Sequence, residues 1–524
     1  MIELLKKNEL PNDIDALKEI VIDFNRKYYL LEEKYETLIS KFFSSRSEKV
    51  SDEQIGQQRL FNEAEEGSDL PLEVKRETIE ETIIIKEHVR QKPGRKPLPP
   101  ELPREVKEYD LPEQEKKCPC CGNERPCIGK EVSEEVDVIP PKIRVIVHEK
   151  KKYGPCKCEG FKKEERPEVI QAKGPKRLIP GSIAAPGCMA YVVTGKFVDS
   201  LPLYRQEKIF LRIGVHIPRA TMCNWIIELS ARCSDLIELM WEEIRSGPFI
   251  QMDETTVQVL KEPDRPAQSK SYMWVTIGYP DQKKLIIYHY HKSRSADIPL
   301  KLLEGYKGDL QTDGYAGYNK VGSLPGIMHV GCMAHARRYF FDALKLSKNK
   351  GSAQIALKYI KEIYKIEDIL RNKNLPHEEF VEKRKEMVVP VLKDFRKWLL
   401  EKKEQVLPGS KLGHGISYTL SEWPKLIRYL KRWYLTPDNN SCEQAVRPFV
   451  VGRKNWLFSD TMRGAYASAT MYSLAESAKA NGLEPYAYFR YLFTKLPDAQ
   501  TRDEVHKLLP HLIEPAMLQN FNGD

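Results

Sequence analysis

The sequence predicts a multidomain α+β protein, and three observations predict it. Apolar residues recur at heptad spacing near the start, six cysteines crowd between positions 118 and 158, and from residue 248 short strand-like runs replace helical periodicity.

A chain of 524 residues exceeds what one hydrophobic core sustains, so it should divide into three or four domains. In the first segment, 1–50, Leu17, Val21, Phe24, Tyr28, Leu31, Tyr35, Leu38 and Phe42 follow alternating spacings of four and three. Such a seam predicts a coiled coil, and with it a homo-oligomer joined through Leu17–Phe42. Aromatics at seam positions are unusual in a regular zipper, which leaves open an amphipathic helix packed on its own domain.

Segment 51–110 reads as a polar, acidic linker that turns basic at Gln91-Lys-Pro-Gly-Arg-Lys-Pro-Leu-Pro-Pro100. Its prolines exclude a helix. Arg95 and Lys96, flanked by Gly and Pro, suit an extended arm along a DNA minor groove; a proline-rich spacer is the other reading.

In segment 111–165, Cys118-Pro-Cys-Cys121-Gly is followed, after strand-like Ile143–Glu149, by Cys156-Lys-Cys158. Two close pairs beside Gly or Pro can set four thiolates tetrahedrally around Zn²⁺. Cys118, Cys121, Cys156 and Cys158 are the ligands expected, with Cys120 and Cys127 as substitutes. Such zinc is structural, since four thiolates leave no open position. Segment 175–245 is helical, and Pro202–Trp225 reads as helix, glycine turn at Gly214, then a second helix opened by Pro218 and Arg219, a helix-turn-helix-like pattern.

Segments 246–350 and 433–495 should form one core, interrupted by a charged helical insertion at 351–432 and followed by a tail at 496–524. Strand-like runs at Phe249–Met252, Thr255–Leu260, Ser271–Ile277, Lys284–Tyr290, Gly308–Thr312 and Met328–Gly331 precede the helix Ala334–Leu346, and helices at Arg463–Lys479 and Pro485–Leu492 close the core. Hairpin strands followed by a strand and helix is the order of a ribonuclease-H-like sheet.

Asp253 and Asp313 each close a strand-like run, and Glu443 opens a helix-like one. Carboxylates from separate elements suit Mg²⁺ (or Mn²⁺), and two such ions stabilise the attacking and leaving oxygens of in-line displacement at phosphorus. Asn439 and Asn440 either orient Glu443 or cap its helix, and Arg447 lies at i+4 from the acid. Arg453, Lys454 and Trp456 could hold a DNA end, with Trp456 in the core as the alternative. His335, with Arg337 and Arg338, could contact the scissile phosphate or serve the fold.

Charge agrees with a polyanionic partner, a solvated lysine-rich helical face being the other reading. Net charge is +9, and residues 335–435 hold 23 basic against 12 acidic side chains. No apolar run approaches the roughly 18 residues a bilayer requires, and Met-Ile-Glu-Leu-Leu-Lys-Lys is no signal peptide, so a soluble, cytoplasmic protein with no membrane partner is expected.

The chain resembles the insertion-sequence 66 family of bacterial transposases. The matching phrases are Gly94-Arg-Lys-Pro-Leu-Pro, Cys118-Pro-Cys-Cys-Gly, Leu201-Pro-Leu-Tyr-Arg-Gln-Glu, Asp313-Gly-Tyr-Ala-Gly-Tyr-Asn, Ala334-His-Ala-Arg-Arg, and Asp438-Asn-Asn through Arg453-Lys-Asn-Trp-Leu-Phe. The resemblance implies an N-terminal leucine-zipper-like segment, a zinc-binding domain and an Asp-Asp-Glu core, with Asp253, Asp313 and Glu443 as its acids. It implies cleavage and joining of transposon ends, double-stranded DNA as partner at the nucleoid, and accessory transposition proteins where the family uses them. The Cys156-Lys-Cys158 spacing departs from the family's usual Cys-x-x-Cys. A non-catalytic or domesticated DNA-binding protein, and a ribonuclease-H-like nuclease without strand transfer, are the rival functions.

Overall fold

The structure, a computed structural model, describes residues 11, 13–43, 143–153, 170–346 and 351–521. The chain divides into two units, residues 74–145 and a larger one of residues 1–73 with 146–524, and every element below belongs to the larger. The cysteines Cys118, Cys120, Cys121, Cys127, Cys156 and Cys158, like Arg95 and Lys96, lie outside the described residues.

Helix α1 (Ile14–Phe43) runs unbroken for 30 residues. Val21, Phe24, Tyr28, Leu31 and Tyr35 on its seam are all more than half exposed, so these side chains are not buried on the chain's own core. Strands β1 (Lys152–Tyr153) and β2 (Ile170–Gln171) pair antiparallel. Helices α2 (Pro186–Phe197), α3 (Leu203–Arg212), α4 (Arg219–Arg232) and α5 (Ser234–Ser246) follow. Between α3 and α4 the backbone turns at Gly214, whose φ of +90° is one that side chains rarely adopt. Met222, Trp225, Ile226 and Leu229 bury one side of α4, while Arg219 at its start is exposed.

The central sheet begins with an antiparallel meander, β3 (Phe249–Lys261), β4 (Lys270–Gly278) and β5 (Leu285–His291). Helix α6 (Asp297–Leu302), β6 (Gly308–Gln311), α7 (Asn319–Gly322) and β7 (Ile327–Val330) complete it in the order β5-β4-β3-β6-β7, with β6 parallel to β3 and β7 parallel to β6. The runs expected as separate strands before and after Asp253 form one strand, so Asp253 lies within β3 rather than closing it. Pairing continues through Asp253 and Glu254, opposite Val275 and Trp274, because Glu254 is met by hydrogen bonds from Arg294 Nε at 2.6 Å and from Tyr318 Oη.

Helices α8 (Met333–Leu346), α9 (Gly351–Arg371), α10 (His377–Lys403) and α11 (Lys411–Leu426) pack around a second core that includes Phe340, Ile360, Ile363, Val388, Phe395 and Ile416. Within it, fully buried Arg384 places Nε 2.8 Å from Glu367 Oε1 and donates to the Tyr429 and Arg432 carbonyls, so its charge is both paired and hydrogen-bonded.

The chain then returns to the sheet through α12 (Asn440–Trp456), β8 (Ser459–Thr461), which runs parallel to β3, and α13 (Met462–Ala480); α14 (Pro485–Lys495) and α15 (Arg502–His506) follow. Helix α13 covers the edge strand β5. Its Ser473 and Ser477 hydroxyls accept the Tyr288 and Ile286 backbone N–H groups at 2.8 Å each, which satisfies donors an edge would leave unpaired. Among the described residues, no helix is long and apolar enough to cross a membrane.

Candidate active site

Strand register places the two aspartates. Gln251 on β3 pairs with Gln311, the last residue of parallel β6, and Asp253 and Asp313 each stand two residues further on, Asp253 within β3 and Asp313 just beyond the end of β6. Side chains alternate along a strand, so Asp253 shares a face of β3 with Gln251. Gln251 Nε2 donates to Gln311 Oε1 at 3.0 Å, and Gln311 Nε2 donates to the Thr436 carbonyl at 2.8 Å. One buried amide pair thus ties β3, β6 and the approach to α12 together. Asp313 Oδ1 accepts the Tyr315 N–H at 3.0 Å, which shapes the turn beyond β6.

Glu443 is buried in the first turn of α12, 3% exposed. The helix start is anchored beside Asp253: Asn439 Nδ2 donates to the Met252 carbonyl at 2.9 Å. This corrects the expected asparagine cap. Asn439 makes no side-chain cap bond, and Asp438 Oδ1 accepts the Asn440 N–H at 3.1 Å instead. The Asn439 amide turns to β3 because buried Met252 has an outward carbonyl there to satisfy. Further along α12, Cys442 Sγ donates to the Val275 carbonyl at 3.5 Å and Tyr288 Oη to the Ala445 carbonyl, fixing the helix on β4 and β5.

From the far side, the Cys332 thiol approaches Glu443 Oε1 at 3.8 Å and His335 Nδ1 approaches the same oxygen at 3.4 Å. Among the described residues, Cys332, His335 and Glu443 form the one trio of potential metal-binding side chains whose ligand atoms all lie within 4.8 Å of one another. Asp253 and Asp313 stand outside that trio.

The acids nevertheless feel one another. Burial, followed by the charges of Glu254, Asp313 and Glu443, holds the Asp253 carboxyl well above the ordinary carboxylate range, against one hydrogen bond from the Glu254 N–H at 2.8 Å. Burial and then Asp438 push Glu443 up to about 8, with Arg338 opposing and Asp313 adding. Burial also raises Glu254, with Asp313 assisting and Arg294 and Tyr318 opposing. His335 is pushed down to about 4, chiefly by burial, so its imidazole is neutral near pH 7. Closely grouped carboxylates without matching cations favour protonation or a bound cation, and this arrangement suits a divalent ion.

The expected DNA-facing residues divide. Arg219, Arg447 and Lys454 are exposed, and Arg338 is half-buried, its charge acting on Glu443. Arg453 instead donates to the Thr256 carbonyl and, at 2.8 Å, to Thr256 Oγ1, which holds α12 against β3. Trp456 is half-buried with Lys196 Nζ 3.7 Å above its ring, so one face is already covered by a cation. Sequence reasoning missed Cys332, Glu254 and the glutamine pair. Gln-Met-Asp253 and Gln-Thr-Asp313 repeat one pattern, and Cys332-Met-Ala-His335 has ligand spacing, so each left a visible trace.

Comparison with known proteins identifies the family. Residues 181–467 match the family model "Transposase IS66 family", and residues 473–511 match "IS66 C-terminal element". Residues 30–106 match "Transposase C of IS166 homeodomain", and residues 115–159 match "zinc-finger binding domain of transposase IS66". The uncharacterized protein y4qI of Sinorhizobium fredii (strain NBRC 101917 / NGR234) is 31% identical over 77% of this chain and 75% of its own length. The uncharacterized protein y4jD of the same strain is 29% identical over 78% of this chain and 81% of its own. The chain belongs to the IS66 family of transposases.

Proposed function

We propose that the protein is a metal-dependent DNA transposase of the Asp-Asp-Glu type, which hydrolyses a strand at the transposon end and then joins the freed 3′ end to target DNA. The observation that carries this reading is the convergence of three acids from β3, the β6 end and α12: the charges of Asp313 and Glu443 help to raise Asp253, and the charge of Asp313 helps to raise Glu443. The strand order, with a meander joined to two parallel strands through the one bearing Asp253, supports a ribonuclease-H-like core.

The donors are all oxygen, which fits Mg²⁺ or Mn²⁺, and Asp253, Asp313 and Glu443 are the residues that would hold the ions. Bound there, a divalent pair supplies charge stabilisation for attacking and leaving oxygens. The chain's own part is to fix the carboxylates through the Gln251–Gln311 pair and Asn439, and to draw DNA to the site with exposed cations such as Lys454 and Arg447. Structural zinc in residues 115–159, with Cys118, Cys121, Cys156 and Cys158 as first choice of ligands, and a homo-oligomer through the exposed α1 seam complete the reading.

The test is cleavage and joining of DNA carrying the element's ends. Asp253→Asn and Glu443→Gln should abolish both steps while binding DNA nearly as the wild type does; full activity in both variants refutes the proposal. Pre-cut ends joined to target DNA separate a transposase from a nuclease.

A further inference from the structure

We propose that Cys332, His335 and Glu443 form a binding site for a thiophilic divalent metal ion of the zinc class, distinct from the all-oxygen site of the aspartates. Sγ to Oε1 is 3.8 Å and Nδ1 to Oε1 is 3.4 Å. A tetrahedral zinc, with bonds of about 2.3 Å to sulfur and about 2.0–2.1 Å to nitrogen or oxygen, sets such pairs about 3.5 Å and about 3.3 Å apart. These two pairs therefore meet the ion's geometry with adjustments of a few tenths of an ångström, and all three ligand atoms lie within 4.8 Å of one another.

The chain delivers these ligands from two sides. Cys332 directly precedes α8 and His335 lies in its first turn, three residues on and hence on one face, while Glu443 comes from the first turn of α12. Two further observations point to a ligand. His335 Nδ1 is buried and, although close to Glu443, has no hydrogen-bond partner. Buried polar atoms are rarely left so. The Asn439 backbone N–H donates to Cys332 Sγ at 3.3 Å, the outer contact that steadies a metal-bound thiolate. One thiolate, one imidazole and one carboxylate select zinc over magnesium and leave a fourth position open. Binding displaces the protons of the Cys332 thiol and the Glu443 carboxyl to solvent.

Both contacts use Oε1 of Glu443, so an ion in the trio holds the residue assigned above to the catalytic cations. This consequence, competition for Glu443, rests on the proposed function; binding itself does not.

The experiment is a cobalt(II) titration of the full-length protein carrying one zinc per chain, enough for the four-thiolate site alone, followed by thiolate-to-cobalt charge-transfer absorption. The wild type should take up one further cobalt per chain. Cys332→Ser should lose the band, and His335→Ala and Glu443→Gln should keep it while weakening binding by at least about tenfold. Asp253→Asn should bind cobalt like the wild type even though it loses cleavage, so either reading can fail alone. No added band in the wild type, a band retained in a folded Cys332→Ser, or undiminished affinity in both other variants overturns the proposal.

Discussion

Gln251 and Gln311 face each other on parallel strands β3 and β6, joined amide to amide at 3.0 Å. Two residues beyond each stands an acid, Asp253 within β3 and Asp313 just past the end of β6. Gln311→Leu should remove the acceptor of Gln251 Nε2 and the donor to the Thr436 carbonyl, at a cost of about 1–3 kcal/mol. Urea unfolding in chelator measures it. An unchanged midpoint would remove the pair from the account.

Glu443 gives a pH dependence. Its carboxyl titrates at about 8 when folded and metal-free, against an ordinary 4.5. The folded state therefore keeps a proton the unfolded chain has lost, and this contribution to stability is full below 4.5 and is lost as pH rises through about 8. Glu443→Gln should gain stability relative to the wild type across that window by more than about 1.4 kcal/mol, the value of one pKa unit. Parallel Tm-against-pH curves for the two proteins in chelator would contradict the assignment.

How much was legible follows from which interactions are local. Strand texture, the helix after β7 and the acids' elements follow from periodicity, which a sequence displays directly. That Asp253 sits mid-strand was not visible, because the hydrogen bonds that hold Glu254 beside it come from Arg294 and Tyr318, far along the chain. The asparagine cap failed for the same kind of reason: Asn439 answers a carbonyl on β3, 187 positions away in sequence. Trp456 and Arg453 read as DNA-facing from their basic neighbourhood, yet Lys196 and Thr256 engage them through the fold.

Lys454 and Arg453 should behave oppositely despite being neighbours. Lys454→Ala should weaken DNA binding uniformly across sequences and reduce the salt slope by about one, with Tm unchanged. Arg453→Ala should lower Tm, because the Thr256 contacts that hold α12 on β3 are lost. Equal effects of the two on Tm would show that the Thr256 contacts add nothing.

The exposed stripe on α1 predicts self-association. Replacing Phe24 and Leu31 together by Glu should shift sedimentation equilibrium towards the monomer and leave the thermal transition of the sheet-bearing core in place. An unchanged mass would place oligomerisation elsewhere.

Anomalous scattering from crystals of the protein soaked in manganese(II) bears most directly on the shared cation site. The account predicts density contacted by carboxylate oxygens of Asp253, Asp313 and Glu443 together. Manganese bound with Glu443 taking no part, or none bound between the two aspartates, would contradict it.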